Sequence, residues 1–215
     1  MQEFWQKLLD DLLYHTSWLE RIAVFTGIAS VWFSRIENIW VYPVGLISTV
    51  IYVYISFVNH LIGEASVNIY YTVLSIYGWI LWTKKDQEKN FVLHITFSNK
   101  KEWGQQLLFG GSLYVVIFFA LTYLKKYFYP GAIPWADAFA SATAYTGMWL
   151  MAKKKVESWY WWIATNIASV PLYFVKGLAF TSVLYFILLI MAFWGLVEWQ
   201  RRAVNKNSNL KLEKA

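Results

Sequence analysis

The chain has 215 residues and a mass of 25.3 kDa; 58% of it is hydrophobic, 20% aromatic and only 15% charged, with a net charge of +6. An ordinary soluble domain carries about 25% charged residues and under half apolar ones, and fourteen Trp, fifteen Tyr and fifteen Phe are more than one soluble core hides. With a mean hydropathy of +0.38 the sequence reads as an all-α integral membrane protein, which excludes the soluble enzyme classes.

Residues 1–15 come first. Phe4, Trp5, Leu8, Leu9, Leu12 and Leu13 recur with helical period, and Glu3, Lys7, Asp10 and Asp11 fall opposite. This predicts an amphipathic helix lying on the membrane surface, too polar to cross it. Its acidic residues also differ from the basic start of a cleaved signal peptide. A helix needs roughly 20 mostly apolar residues to span the hydrocarbon layer. Seven stretches qualify, at about 16–34, 39–60, 65–83, 103–124, 133–152, 157–175 and 178–199. The second is the cleanest, with no charge between Glu37 and Glu64; the first contains Glu20 and Arg21, which must snorkel to the headgroups. Residues 203–215 lack apolar period and are predicted to be disordered.

The basic residues sit in short clusters between apolar runs, a pattern of membrane topology and not of nucleic-acid binding. Five of the 19 Lys and Arg (Lys7, Arg21, Lys125, Lys126 and Lys176) fall on the N-terminal side of seven spans, and fourteen on the other. The positive-inside rule predicts an external N-terminus and a cytoplasmic C-terminus.

Two segments flanking the fourth span resemble each other. Thr26-Gly27 recurs as Thr146-Gly147, and Arg35, Glu37 and Trp40 match Lys155, Glu157 and Tyr160, all at an offset of 120. Gly78, Trp82, Lys84 and Lys85 match Gly195, Trp199, Arg201 and Arg202 at 117, as if a loop were three residues shorter in the second copy. The expected architecture is a three-helix repeat over 16–83, a linker helix at 103–124 and a second repeat over 133–202. An odd number of helices per copy needs one linking helix to keep the copies parallel, giving a 3+1+3 arrangement. Parallel repeats are a transporter architecture with substrate between the halves.

The densest candidate site is Trp159-x-x-Trp162-x-x-x-Asn166, whose members share one helical face. Asn166 lies roughly 10 Å deeper than Trp159 at 1.5 Å per residue, where an amide needs partners that a polar ligand supplies. Trp159 reads equally as an interfacial aromatic or a ligand contact. Pro171 is expected to interrupt that helix and free a carbonyl. Asn68 and Tyr77 in the third span, and Tyr185 at the repeat position of Asn68, are further candidates, with interhelical hydrogen bonding as the alternative. Asn38 and Asp137 stand at helix starts, where capping competes with ligand contact. Trp82 and Trp199 precede cationic pairs and read as belt residues. No Asp, Glu, Lys or Arg reaches mid-membrane, as ion coupling requires. The three histidines lie in loops or ends, which argues against a metal or haem core, so neither cofactor nor metal is expected. No nucleophile, acid–base pair or metal-protease motif supports an enzyme. The predicted cavity is aromatic and neutral, suited to a flat, polar, cationic solute.

At these residues the sequence resembles the PnuC transporters of bacterial nicotinamide riboside uptake. The matching elements are Val156-Glu157-Ser158-Trp159-x-x-Trp162-x-x-x-Asn166 followed by Ser169, Ile76-Tyr77-Gly78-Trp79-x-x-Trp82, Trp135-x-Asp137, Asn38, Gly45 and Tyr185. They cover residues 17 to 202, and Ser158 departs from the Asn that the family often has there. The resemblance implies a fold like the SWEET sugar transporters, a homotrimer in the bacterial inner membrane, and uptake of nicotinamide riboside by facilitated diffusion. It also implies trapping of the imported riboside by a cytoplasmic kinase. The alternative is a carrier of another small solute on the same scaffold, such as a sugar, thiamine or riboflavin.

Overall fold

The structure, a computed structural model, describes residues 17–58, 62–127 and 132–212. They form α1 (Trp18–Arg35), α2 (Val41–Val58), α3 (Ile62–Thr83), α4 (Lys100–Tyr127), α5 (Pro134–Ala152), α6 (Ser158–Val175) and α7 (Ala179–Leu212). Each of the seven expected spans coincides with one helix. The amphipathic helix expected at 1–15 lies outside the described residues. By length and apolarity, three of the described helices are able to cross a membrane: Val41–Val58, Lys100–Lys126 and Ala179–Asn205. The remaining four are less apolar because α1 carries Glu20, Arg21 and Arg35, while α3, α5 and α6 are rich in Tyr, Trp, Ser, Thr and small residues.

Local chemistry fixes the ends. Ser17 caps α1, its hydroxyl accepting the Glu20 N–H at 3.2 Å. α5 opens on Pro134, and Asp137 reaches back to accept the Ile133 N–H at 2.7 Å. α6 runs unbroken through Pro171, contrary to the expected interruption, and the Ser182 hydroxyl of α7 donates to the Val170 carbonyl beside it at 2.8 Å. α7 also overruns expectation. It continues to Leu212 where a disordered tail was predicted, since no Gly or Pro follows Gly195 to end it. Ala203 is packed inside, and Arg202 is held by Glu198 at 2.8 Å and Glu37 at 3.3 Å.

The helices touch in a closed cycle: α1 with α2, α2 with α3, α3 with α5, α5 with α6, α6 with α7, and α7 with α1. α4 packs outside this cycle, on α5. The repeat is more regular than its sequence signal. α1 and α5 end at residues 35 and 152, α2 and α6 run over 41–58 and 158–175, and α3 and α7 begin at 62 and 179, always 117 apart. Side chains agree. Thr26 donates to the carbonyls of Ile22 and Ala23, and Thr143 to those of Phe139 and Ala140. The offset of 120 in the first helices is therefore a register slip. Three residues turn a helix by nearly a full revolution, so a slipped match still aligns similar faces.

Candidate substrate site

The cycle of helices encloses two unlike layers. At the end holding the α1–α2 and α5–α6 turns, a core forms from both halves. Tyr42 meets Trp82 edge-on at 5.2 Å, Trp159 meets Trp199 edge-on at 5.6 Å, and the two central indoles are 6.1 Å apart. Gly78 and Gly195 permit this: a Cβ there would stand 2.4 Å from the Tyr42 hydroxyl and 2.4 Å from the Trp159 ring respectively. Each central indole reaches across to the other half, Trp82 Nε1 donating to the Ala152 carbonyl at 3.2 Å and Trp199 Nε1 to that of Ser34 at 3.0 Å. With exposures of 3% and 0%, Trp82 and Trp199 are core residues and not belt residues. The following cationic pairs suggested an interface, but the small Gly one turn before each indole lets it turn inward. Trp159, at 1% exposure, belongs to this layer as well.

The second layer lies farther along α3, α5, α6 and α7. Trp162 packs against Gly147, where a Cβ would be only 3.2 Å from the indole. Tyr71 stands 6.1 Å from Trp162 and 6.4 Å from Tyr145. Tyr145 is held edge-on to Tyr70 at 4.5 Å, the Tyr70 hydroxyl donating to the Tyr145 carbonyl at 3.0 Å, and it is hydrogen-bonded to Ser66. Tyr185 of α7 is an electrostatic neighbour of Tyr71 and stacks on Tyr173 at 5.1 Å, nearly parallel. Asn166, one turn beyond Trp162, is 3% exposed, and among the described residues no hydrogen-bond partner meets its amide. Asn68 is one turn before Tyr71 and half-buried; its carbonyl accepts the Thr72 hydroxyl, which also bonds Thr49 at 3.0 Å.

The expected candidates divide accordingly. Trp162, Asn166, Asn68 and Tyr185 lie in the aromatic layer, together with Tyr71 and Tyr145, which the sequence reading missed. Tyr77 is 43% exposed on the outer face of α3 with Ile69, Val73, Ile76 and Ile80. Asn38 accepts the Trp40 N–H at 3.0 Å, as a helix start requires. Asp137 is paired with Lys176 at 2.5 Å at the opposite end of the fold. Neither joins the aromatic layer. Among the described residues, no cluster of three His, Cys, Asp or Glu side chains is placed to hold a metal.

The conserved profile of the family described as Nicotinamide mononucleotide transporter matches residues 17–201. The chain belongs to this transporter family. It is 26% identical over 192 residues to the riboflavin/roseoflavin transporter RibM of Streptomyces davaonensis, covering 88% of this chain and 87% of that protein. It is 25% identical over 215 residues to the nicotinamide riboside transporter PnuC of Escherichia coli (strain K12), covering 91% and 90%. A crystal structure of the vitamin B3 transporter PnuC superposes with a TM-score of 0.67 over 95% of this chain and 89% of that one, at 22% identity. The family assignment accords with the resemblance carried by the Trp-x-x-Trp-x-x-x-Asn element.

Proposed function

We propose that the chain carries nicotinamide riboside across the bacterial inner membrane by facilitated diffusion, and that a cytoplasmic kinase traps the product. One observation carries this reading: Asn166, 3% exposed and with no hydrogen-bond partner for its amide among the described residues, stands one turn from Trp162 and its neighbour Tyr71. A buried amide left unmet is costly, and a ribosylated pyridinium offers hydroxyls and a carboxamide to meet it. The cation of that ligand suits aromatic faces. Among the described residues, the ion pairs that join helices of the cycle lie at its two ends, as Glu37–Lys154–Arg202 and Asp137–Lys176. That arrangement supports a uniporter. The closed cycle with α4 outside supports a 3+1+3 fold of two parallel bundles, and the uneven Lys and Arg count supports an external N-terminus and a cytoplasmic C-terminus. A homotrimer is part of the same proposal.

RibM keeps a second reading alive, a riboflavin carrier on this scaffold. Titrating detergent-purified protein with nicotinamide riboside, riboflavin and thiamine separates the two. Tight binding of riboflavin with none of nicotinamide riboside overturns the first. In liposomes, uptake should stop at equal internal and external concentration. Accumulation driven by an imposed proton or sodium gradient contradicts uniport.

A further inference from the structure

The paired-indole layer has features beyond packing. The α1–α2 and α5–α6 turns place Glu37 (φ 60°) and Lys154 (φ 51°) at equivalent positions, both in the left-handed region that side chains other than Gly rarely adopt. Such conformations persist only where surroundings hold them. Here the two residues hold each other: Lys154 Nζ lies 2.6 Å from the Glu37 carboxylate and 4.5 Å from the Trp82 ring centre. Beneath them, the equivalent residues Ser34 and Met151 touch, hydroxyl to sulfur, at 2.9 Å. Another equivalent pair, Tyr42 and Trp159, buries a hydroxyl and an indole N–H that have no hydrogen-bond partner among the described residues. An assembly with strained turns and unmet donors at symmetric positions is closed but poised to part, since opening gives those donors water.

We propose that Glu37 and Lys154, with the rings of Tyr42, Trp82, Trp159 and Trp199, form a gate at this end of the transport path, and that substrate release parts it between the two halves. This rests on the transport reading and on the proposed orientation, which makes it the cytoplasmic gate. The ion pair is a latch spanning the halves. The indole-to-carbonyl bonds are its hinges, because each must break or slide when the halves separate.

The chain has no cysteine, so introduced thiols report alone. Ser158, fully buried beside Met151, becomes the probe as Ser158→Cys in inside-out vesicles treated with a membrane-impermeant maleimide. Glu37→Gln, which keeps shape and loses charge, should raise its labelling rate about tenfold. Lys154→Met should do the same. Equal rates in all three backgrounds overturn the gate. The labelling needs no substrate, so it stands even if the chain carries neither vitamin, an outcome that would overturn the transport reading alone. As a second arm, the Ser34→Cys/Met151→Cys pair is oxidised in liposomes and the disulfide confirmed by mass spectrometry. Uptake should fall at least tenfold and return on reduction. Unchanged uptake with the bridge complete also overturns the gate.

Discussion

The two halves of the molecule are near copies at one depth and different at another. At the turn end, Gly78 faces Tyr42 as Gly195 faces Trp159, and Trp82 bonds the opposite half as Trp199 does. In the aromatic layer, the same offset of 117 sets Gly45 against Trp162, Thr49 against Asn166, and Asn68 against Tyr185. A movement shared by both halves needs the same parts twice. A single asymmetric solute bound between them needs different parts on each side. On the transport and gate proposals, the regular layer is the mechanical one and the irregular layer is the one that meets the solute.

Breaking recognition should give the largest effects. Asn166→Leu removes the amide, costing about 1–3 kcal/mol when ligand polar groups go unpaired. Trp162→Ala removes stacking and cation–π contact and should weaken binding by a factor of roughly 10 to 100 at 1.4 kcal/mol per decade. Calorimetric titration checks both, beside Thr49→Ala in the other half, which should leave affinity within about twofold. Unchanged affinity in Asn166→Leu and Trp162→Ala would place the site elsewhere.

The mechanical layer should answer differently. Gly78→Ala and Gly195→Ala each press a methyl into a ring and should cost about 1–3 kcal/mol of stability, by similar amounts in each half. Thermal unfolding in detergent measures it, with affinity of the folded fraction nearly unchanged. A large loss at one glycine alone would deny the equivalence. The smallest effect is expected from Trp82→Phe and Trp199→Phe, each losing one cross-half hydrogen bond worth about 1 kcal/mol while keeping an aromatic ring.

All seven helices were legible, because runs of about 20 apolar residues leave few alternatives in a chain this poor in charge. The Trp-x-x-Trp-x-x-x-Asn spacing also located two members of the aromatic layer. Its first tryptophan was separated from them by packing that spacing does not encode: Gly195, over thirty residues away, draws Trp159 into the other layer. Tyr71 and Tyr145 were missed since single tyrosines in aromatic-rich segments form no pattern. Their signal was available only indirectly, as Tyr71 one turn after Asn68 and Tyr145 two residues before Gly147. Tyr77 was misleading for the converse reason. It sits in a recognisable motif beside Gly78, but the motif's inward residues are Gly78 and Trp82.

One fastening shapes how the halves travel. The buried Glu157 carboxylate at the start of α6 accepts the Ser98 N–H at 2.9 Å and its hydroxyl at 2.7 Å; Gln106 of α4 bonds Ser98 at 2.7 Å and accepts the Trp161 indole at 3.1 Å. Together with the α4–α5 packing, these bonds rivet the extra helix to the second half and leave the first half, among the described residues, with three helices. The internal symmetry is thus of shape and not of mass: on the gate proposal, α1–α3 are the lighter body, moving against the four helices α4–α7. Distance labels on α2 should then sweep wide arcs relative to α4, while labels on α6 and α4 travel together.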